Sequence, residues 1–200
     1  EHGIRGSAQD GETVDSFNDP YKGVPAYSLY GKTRKPNKEM LSQIDRMLFD
    51  IQDVGVRFYT FLYTMSMGME ACADHDIPFI VLDRPNPIGG IICSGNILNP
   101  LFESFVGRYP IATRYGLTLG ELANLFNDEF DIGVELHVIQ MKNWKREYHW
   151  ADCHIPWVPP SPNMPTFQTS LVYPGTCFFE GTNISEGRGT TKPFEQIGAP

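Results

Sequence analysis

The stretch Ile77-Pro-Phe-Ile-Val-Leu82, closed by Asp83-Arg-Pro-Asn-Pro-Ile-Gly-Gly90, decides the fold. A short run of branched and aromatic apolar side chains ended by prolines and glycines predicts a strand with a sharp break after it. Upstream, Tyr59 to Asp74 has helical spacing, with Phe61, Met65, Met69 and Cys72 along one side as a core stripe. Gln52-Asp-Val-Gly55 predicts a turn, Arg46 to Ile51 a short buried strand, and Lys38 to Asp45 a short helix. Downstream, Thr118 and Glu121 have the spacing of a capping box, which starts a helix running to Phe130. Its apolar face is Leu119, Leu122, Ala123 and Phe126. Gly133 to Ile139 then alternates, with Val134, Leu136 and Val138 on one face of a strand.

Helices alternating with short apolar strands predict parallel βαβ units and an α/β sheet. The first 36 residues are polar and turn-rich, a long loop region of the kind that carries function on a rigid scaffold. Ile155 to Pro165 holds five prolines and reads as a rigid connector. A domain boundary is placed near Pro165, giving a domain over 1–165 and the start of a smaller one over 166–200, with a short helix over Thr169–Cys177.

Composition narrows the function classes. A net charge of -8 argues against a nucleic-acid partner, which needs a basic face. No apolar run reaches the roughly 18 residues of a membrane span, and no signal peptide is visible. The chain opens at Glu1-His2-Gly3 without Met and stops at Gly198-Ala199-Pro200, so both ends read as cut. Cys72, Cys93, Cys153 and Cys177 are widely spaced, form no CxxC, and read as free thiols.

In an open α/β sheet, ligands bind beyond the carboxyl ends of the strands. Three segments are expected there: Glu1-His-Gly-Ile-Arg-Gly6, Gln52-Asp-Val-Gly-Val-Arg-Phe-Tyr59 and Asp83-Arg-Pro-Asn86. Each sets a carboxylate and an arginine beside glycine or proline. A fourth, Phe179 to Lys192, has the same character and includes Glu180, Asn183, Glu186 and Arg188. No GxSxG, GxGxxG, P-loop or HExxH is present. His149, Cys153 and His154 match no standard metal spacing. What is left is carboxylate chemistry of the glycosidase type, with Glu1, Asp53, Asp83, Glu180 and Glu186 as candidates. Tyr27, Tyr30, Tyr59 and Phe179 are available to stack on a sugar. The residues alone leave the reaction open.

Glu1-His-Gly-Ile-Arg-Gly6, Pro25 to Gly31, Phe49 to Thr60, Asp83 to Pro87, Pro160-Ser-Pro-Asn-Met-Pro165 and Glu180 to Thr190 form an ordered set over nearly the whole chain. Together they resemble the NamZ exo-β-N-acetylmuramidases, a family once catalogued as a domain of unknown function. The resemblance implies a Rossmann-like domain with helices on both faces of its sheet and a smaller carboxy-terminal α/β domain, with the cleft between them. The strand expected ahead of Glu1 and most of the second domain are missing. It implies release of N-acetylmuramic acid from the non-reducing end of peptidoglycan fragments, in a periplasmic or secreted setting, with no cofactor and no metal.

By that resemblance Glu1 is the favoured catalytic carboxylate, Glu186 and Asp53 are the choices for a second catalytic group, and Tyr59 is a polar helper. Muramic acid carries a lactyl carboxylate, which a guanidinium grips bidentately, so Arg57, Arg84 and Arg188 are expected clamps. His2, Arg5, Asp83, Asn86, Glu180 and Asn183 are expected to complete the substrate site. Two rival readings are an amino-sugar deacetylase or esterase, for which His2 is the only histidine in the expected cleft, and a non-catalytic glycan-binding module.

Overall fold

The structure is a computed structural model that describes residues 2, 3, 6, 8 and 12–199. Its first half runs through β1 (Phe17–Asn18), β2 (Pro25–Ala26), α1 (Lys38–Leu41), β3 (Met47–Phe49) and α2 (Phe61–Ala73). Next in the chain are β4 (Phe79–Leu82), β5 (Ser94–Ile97), β6 (Ala112–Arg114), α3 (Leu119–Glu129), β7 (Leu136–Ile139) and α4 (Phe167–Thr176).

Strands β3, β4 and β7 form a parallel sheet in that order, with Met47 opposite Phe79 and Phe79 opposite Leu136. Parallel neighbours require crossovers, and α2 and α3 supply them, so the predicted βαβ units and the α/β class are present. Side chains alternate across a strand. Phe49, Phe79 and Val81 therefore share a face, where they pack with Met65, Met69 and Cys72 of α2 and Leu122 and Phe126 of α3. Leu48 and Ile139, on the other face, are 56% and 57% exposed. Helix α3 comes close to the sheet at Gly120, where a Cβ would lie 2.6 Å from Val138 Cγ1.

The capping box at the start of α3 is formed. Thr118 Oγ1 accepts from the Glu121 amide at 3.2 Å, and the Glu121 carboxylate accepts from the Thr118 amide at 3.0 Å. The predicted stripe of α2 is fully buried at Met65, Met69 and Cys72, and so are Leu62, Tyr63, Ser66 and Ala71. The helix is covered on more than one side because Tyr109 and Ile111, leading into β6, join the same core. Among the described residues no helix is long and apolar enough to cross a membrane.

Strands β5 and β6 form an antiparallel pair that the sequence pattern did not suggest. Every residue of β5 is exposed, so it carries no apolar alternation to read. Its position comes from outside. Arg57 Nη1 donates to Asn96 O at 2.6 Å and to Ile111 O at 2.7 Å, binding the two strands to the loop after β3.

A second core ties the chain after Pro165 to that same loop. Val54, Val56, Tyr59, Phe61 and Ile88 pack with Met164, Tyr173 of α4 and Phe194. Beyond α4, Ser185 and Gly198 pair in an antiparallel bridge.

Candidate active site

The loop after β3 is bent by Gly55. Its φ of +87° is open to glycine, and a Cβ there would sit 2.4 Å from Asn86 Oδ1. The bend delivers Phe58, Tyr59 and Thr60 to the wall of a cavity of about 180 Å³. His2, Ser161, Asn163, Tyr173, Cys177, Glu180, Arg188 and Phe194 complete most of that wall. One side is aromatic: Tyr59 and Tyr173 meet edge to face at 6.0 Å, and Tyr173 meets Phe194 at 4.7 Å.

Charged residues adjoin these rings. Arg188 binds the Glu180 carboxylate and, through Nε, the Glu186 carboxylate at 3.1 Å, with its guanidinium 5.2 Å from the Phe194 ring centre. Two carboxylates on one guanidinium leave a net negative charge at this edge. The Glu186 side chain is 12% exposed against 35% for Glu180. His2 is buried, and its Nδ1 donates to Ala8 O at 2.7 Å. A carbonyl can only accept, so Nδ1 carries a proton and Nε2 is the ring nitrogen left for other partners. Burial pushes the Cys177 thiol up to about 12, with the Glu180 carboxylate adding to the rise. That thiol stays protonated and is no nucleophile at neutral pH.

Of the residues singled out in the sequence, His2, Tyr59, Glu180 and Arg188 are in this wall, and Glu186 adjoins it through Arg188. Glu1 and Arg5 lie outside the described residues. The others sit elsewhere, each for a local reason. Asp53 is 4% exposed, and its Oδ2 accepts from the Gly55 amide at 2.8 Å and from the Tyr115 hydroxyl. Its Oδ1 has no hydrogen-bond partner among the described residues. Burial lifts its pKa from 3.8 to about 6. Arg57, expected as a clamp, is 9% exposed and turned onto the two carbonyls of the β5–β6 pair. Arg84, the second expected clamp, pairs with Asp50 at 2.6 Å.

Asp83 caps α3, accepting from the Gly120 amide at 2.8 Å and the Thr118 hydroxyl at 2.9 Å. A carboxylate there complements the positive end of the helix dipole. Asn86 braces the bend, accepting from the Ile88 amide and donating to Leu117 O at 2.8 Å. Asp53, Arg84 and Asn86 border only a small separate space of about 10 Å³. Asn183 is exposed and is not part of the cavity wall. Among the described residues no three His, Cys, Asp or Glu side chains gather as a metal-ligand set.

Sequence reasoning missed Ser161, Asn163, Tyr173 and Cys177. The proline-rich stretch 155–165 reads as a connector, yet the same rigidity holds Ser161 and Asn163, both buried, against the cavity. Nothing in the spacing of Tyr173 and Cys177 says which side of α4 meets the earlier chain.

Comparison with known proteins agrees over the whole length. The profile of a family described as Exo-beta-N-acetylmuramidase NamZ, N-terminal, matches residues 1–168, and that of Exo-beta-N-acetylmuramidase NamZ, C-terminal, matches 171–200. A curated relative, the Peptidoglycan beta-N-acetylmuramidase NamZ of Bacillus subtilis (strain 168), is 60% identical over 200 residues, all of this chain and 48% of the relative. The chain thus spans about half the length of that relative. Two crystal structures of DUF1343 family proteins from Bacteroides fragilis NCTC 9343 superpose on it. One has a TM-score of 0.90 at 43% identity, covering 98% of this chain and 50% of its own. The other has a TM-score of 0.81 at 40% identity, covering 98% and 52%. With both profiles matched in order and the fold shared, the chain belongs to the NamZ exo-β-N-acetylmuramidase family.

Proposed function

We propose that the protein carrying this chain is a glycosidase that releases terminal N-acetylmuramic acid from peptidoglycan fragments. The observation that carries the reading is the cavity wall, in which the aromatic Tyr59, Tyr173 and Phe194 stand together with Glu180 and Arg188, the latter also holding Glu186. An amino sugar with a carboxylate substituent asks for that combination: an apolar face to rest on, and a guanidinium for the anion. Arg188 already holds Glu180 and Glu186, so a lactyl carboxylate would take the place of the more exposed Glu180.

In this reading Glu1 is the acid that protonates the leaving oxygen, and its chain neighbour His2 is in the cavity wall. Glu186, held by Arg188, is the preferred second carboxylate. Asp53 is set aside because it is buried behind the bend at 4% exposure. The parallel sheet is the core of a Rossmann-like domain ending near Pro165. The residues after it begin a second domain that closes the cavity. Peptidoglycan lies outside the cytoplasm, so the protein is proposed to act there.

The test is turnover of a chromogenic β-N-acetylmuramide by the full-length protein beside its Glu1→Gln and Glu186→Gln variants. Loss of a catalytic carboxylate lowers kcat by about 10²- to 10⁴-fold. Such a loss in folded variants is the expected result. No release by the unaltered protein from the muramide, from the matching glucosaminide or from peptidoglycan fragments would end the proposal.

A further inference from the structure

We propose that Glu180 sets the anion selectivity of the cavity: it occupies Arg188 as a built-in competitor, and a ligand carboxylate has to displace it. This rests on the reading of Arg188 as the seat of the lactyl carboxylate, and deepens it. The role belongs to Glu180 and not to Glu186, although both carboxylates bind the same guanidinium.

The two glutamates are held in different ways. Glu186 is fixed through its backbone: the Phe194 amide donates to its carbonyl at 2.6 Å, and its neighbour Ser185 exchanges both backbone hydrogen bonds with Gly198. Glu180 stands in the 3₁₀ turn Cys177–Gly181, and its side chain is 35% exposed against 12% for Glu186. While one oxygen of Glu180 meets Arg188, the other accepts from the Cys177 thiol at 3.7 Å. Residues three apart eclipse in a 3₁₀ turn, which is why thiol and carboxylate meet. The thiol, pushed up to about 12 chiefly by burial, keeps the proton it donates, and Tyr173 hydrogen bonds to it in turn.

Glu180 is therefore the carboxylate that yields. A partly exposed ion pair is weak, and a thiol is a poor donor, so neither contact locks the side chain. A small free anion that displaces Glu180 trades one carboxylate for another on the same guanidinium and gains little. A carboxylate carried on a sugar brings the ring as well, which rests on Tyr59 and Tyr173 in the same wall. Once displaced, Glu180 still has the Cys177 thiol for its second oxygen. The competitor thus raises the threshold for every anion and leaves a neutral sugar unaffected, so that ring and anion together fill the site while the anion alone does not.

Titration calorimetry on the full-length protein reads the affinity for N-acetylmuramic acid and for N-acetylglucosamine, which lacks the lactyl group. In Glu180→Gln, and likewise in Glu180→Ala, the muramic sugar is expected to bind about fivefold tighter and the glucosamine sugar as before. Sodium D-lactate, the anion without the sugar, is expected to compete with N-acetylmuramic acid in these variants more strongly than in the unaltered protein. Thermal unfolding serves as the fold control. Muramic affinity unchanged or weakened in both variants, equal gains for the two sugars, or equal competition by lactate in all three proteins would overturn the role of Glu180. The turnover test of the glycosidase reading would stand apart from that result. An unaltered protein that binds neither sugar would overturn the cavity reading and this inference with it.

Discussion

Asp53-Val-Gly-Val-Arg57 and Glu186-Gly-Arg188 are both a carboxylate, a glycine and an arginine in close order, and they end in opposite environments. In the first, Val54 and Val56 are fully buried and draw the polar residues between them under the surface. Asp53 is then tied to Gly55 and Tyr115, and Arg57 to two backbone carbonyls. In the second, the flanks are Ser185 and Gly189, which bury nothing, and Arg188 stays about a third exposed at the cavity edge. The polar residues of a loop therefore do not decide whether it serves a site or a core. The apolar residues between them do.

Substitutions at the buried member test this contrast most sharply. Gly55→Ala introduces a Cβ 2.4 Å from Asn86 Oδ1 and 2.7 Å from Ile88, at a φ that disfavours any other residue. The expected loss is about 4 kcal/mol or more, read as a shift in the denaturation midpoint. A loss below about 1 kcal/mol would mean that the bend relaxes easily and does not organise the loop.

The two arginines should then part company. Arg57→Met leaves the Asn96 and Ile111 carbonyls without this donor and should lower stability by about 3 kcal/mol. Arg188→Met removes a partly exposed pair and should alter stability by about 1 kcal/mol or less, its effect falling on turnover of the muramide instead. Equal stability losses in the two variants would break the comparison.

A further effect is in the pH dependence. The Asp53 carboxyl is raised from 3.8 to about 6 by burial, so the folded state holds its proton more tightly than the unfolded state. Its contribution is full below about pH 4 and is lost as pH rises through 6. Two pKa units correspond to about 2 to 3 kcal/mol. Asp53→Asn should flatten the stability profile between pH 4 and 6, as followed by thermal melts, while Glu186→Gln should leave that part of the profile in place. An unchanged slope in the Asp53 variant would show that this carboxyl is solvated.

Much of the scaffold is legible because its signals are local. The capping box at Thr118 and Glu121, the apolar run ending at Leu82 and the buried stripe of α2 all lie within one element. Strand β5 has no such signal, since its residues face solvent and its pairing depends on Arg57, some 39 residues earlier. The cavity is partly legible. Tyr59, Glu180 and Arg188 stand out by type, whereas Ser161, Asn163 and Tyr173 are ordinary residues that acquire a role by where the chain returns.

The sequence by itself determined the βαβ alternation and the start of α3 at its capping box, because each rests on residues near one another in the chain, and it pointed to the family through motifs ordered along that chain. Only the tertiary structure decided which of two similar polar loops faces the cavity. That choice depends on Val54 and Val56 packing with Met164, Tyr173 and Phe194, more than a hundred residues away. Burial is a property of such distant partners, and no single stretch of the chain contains it.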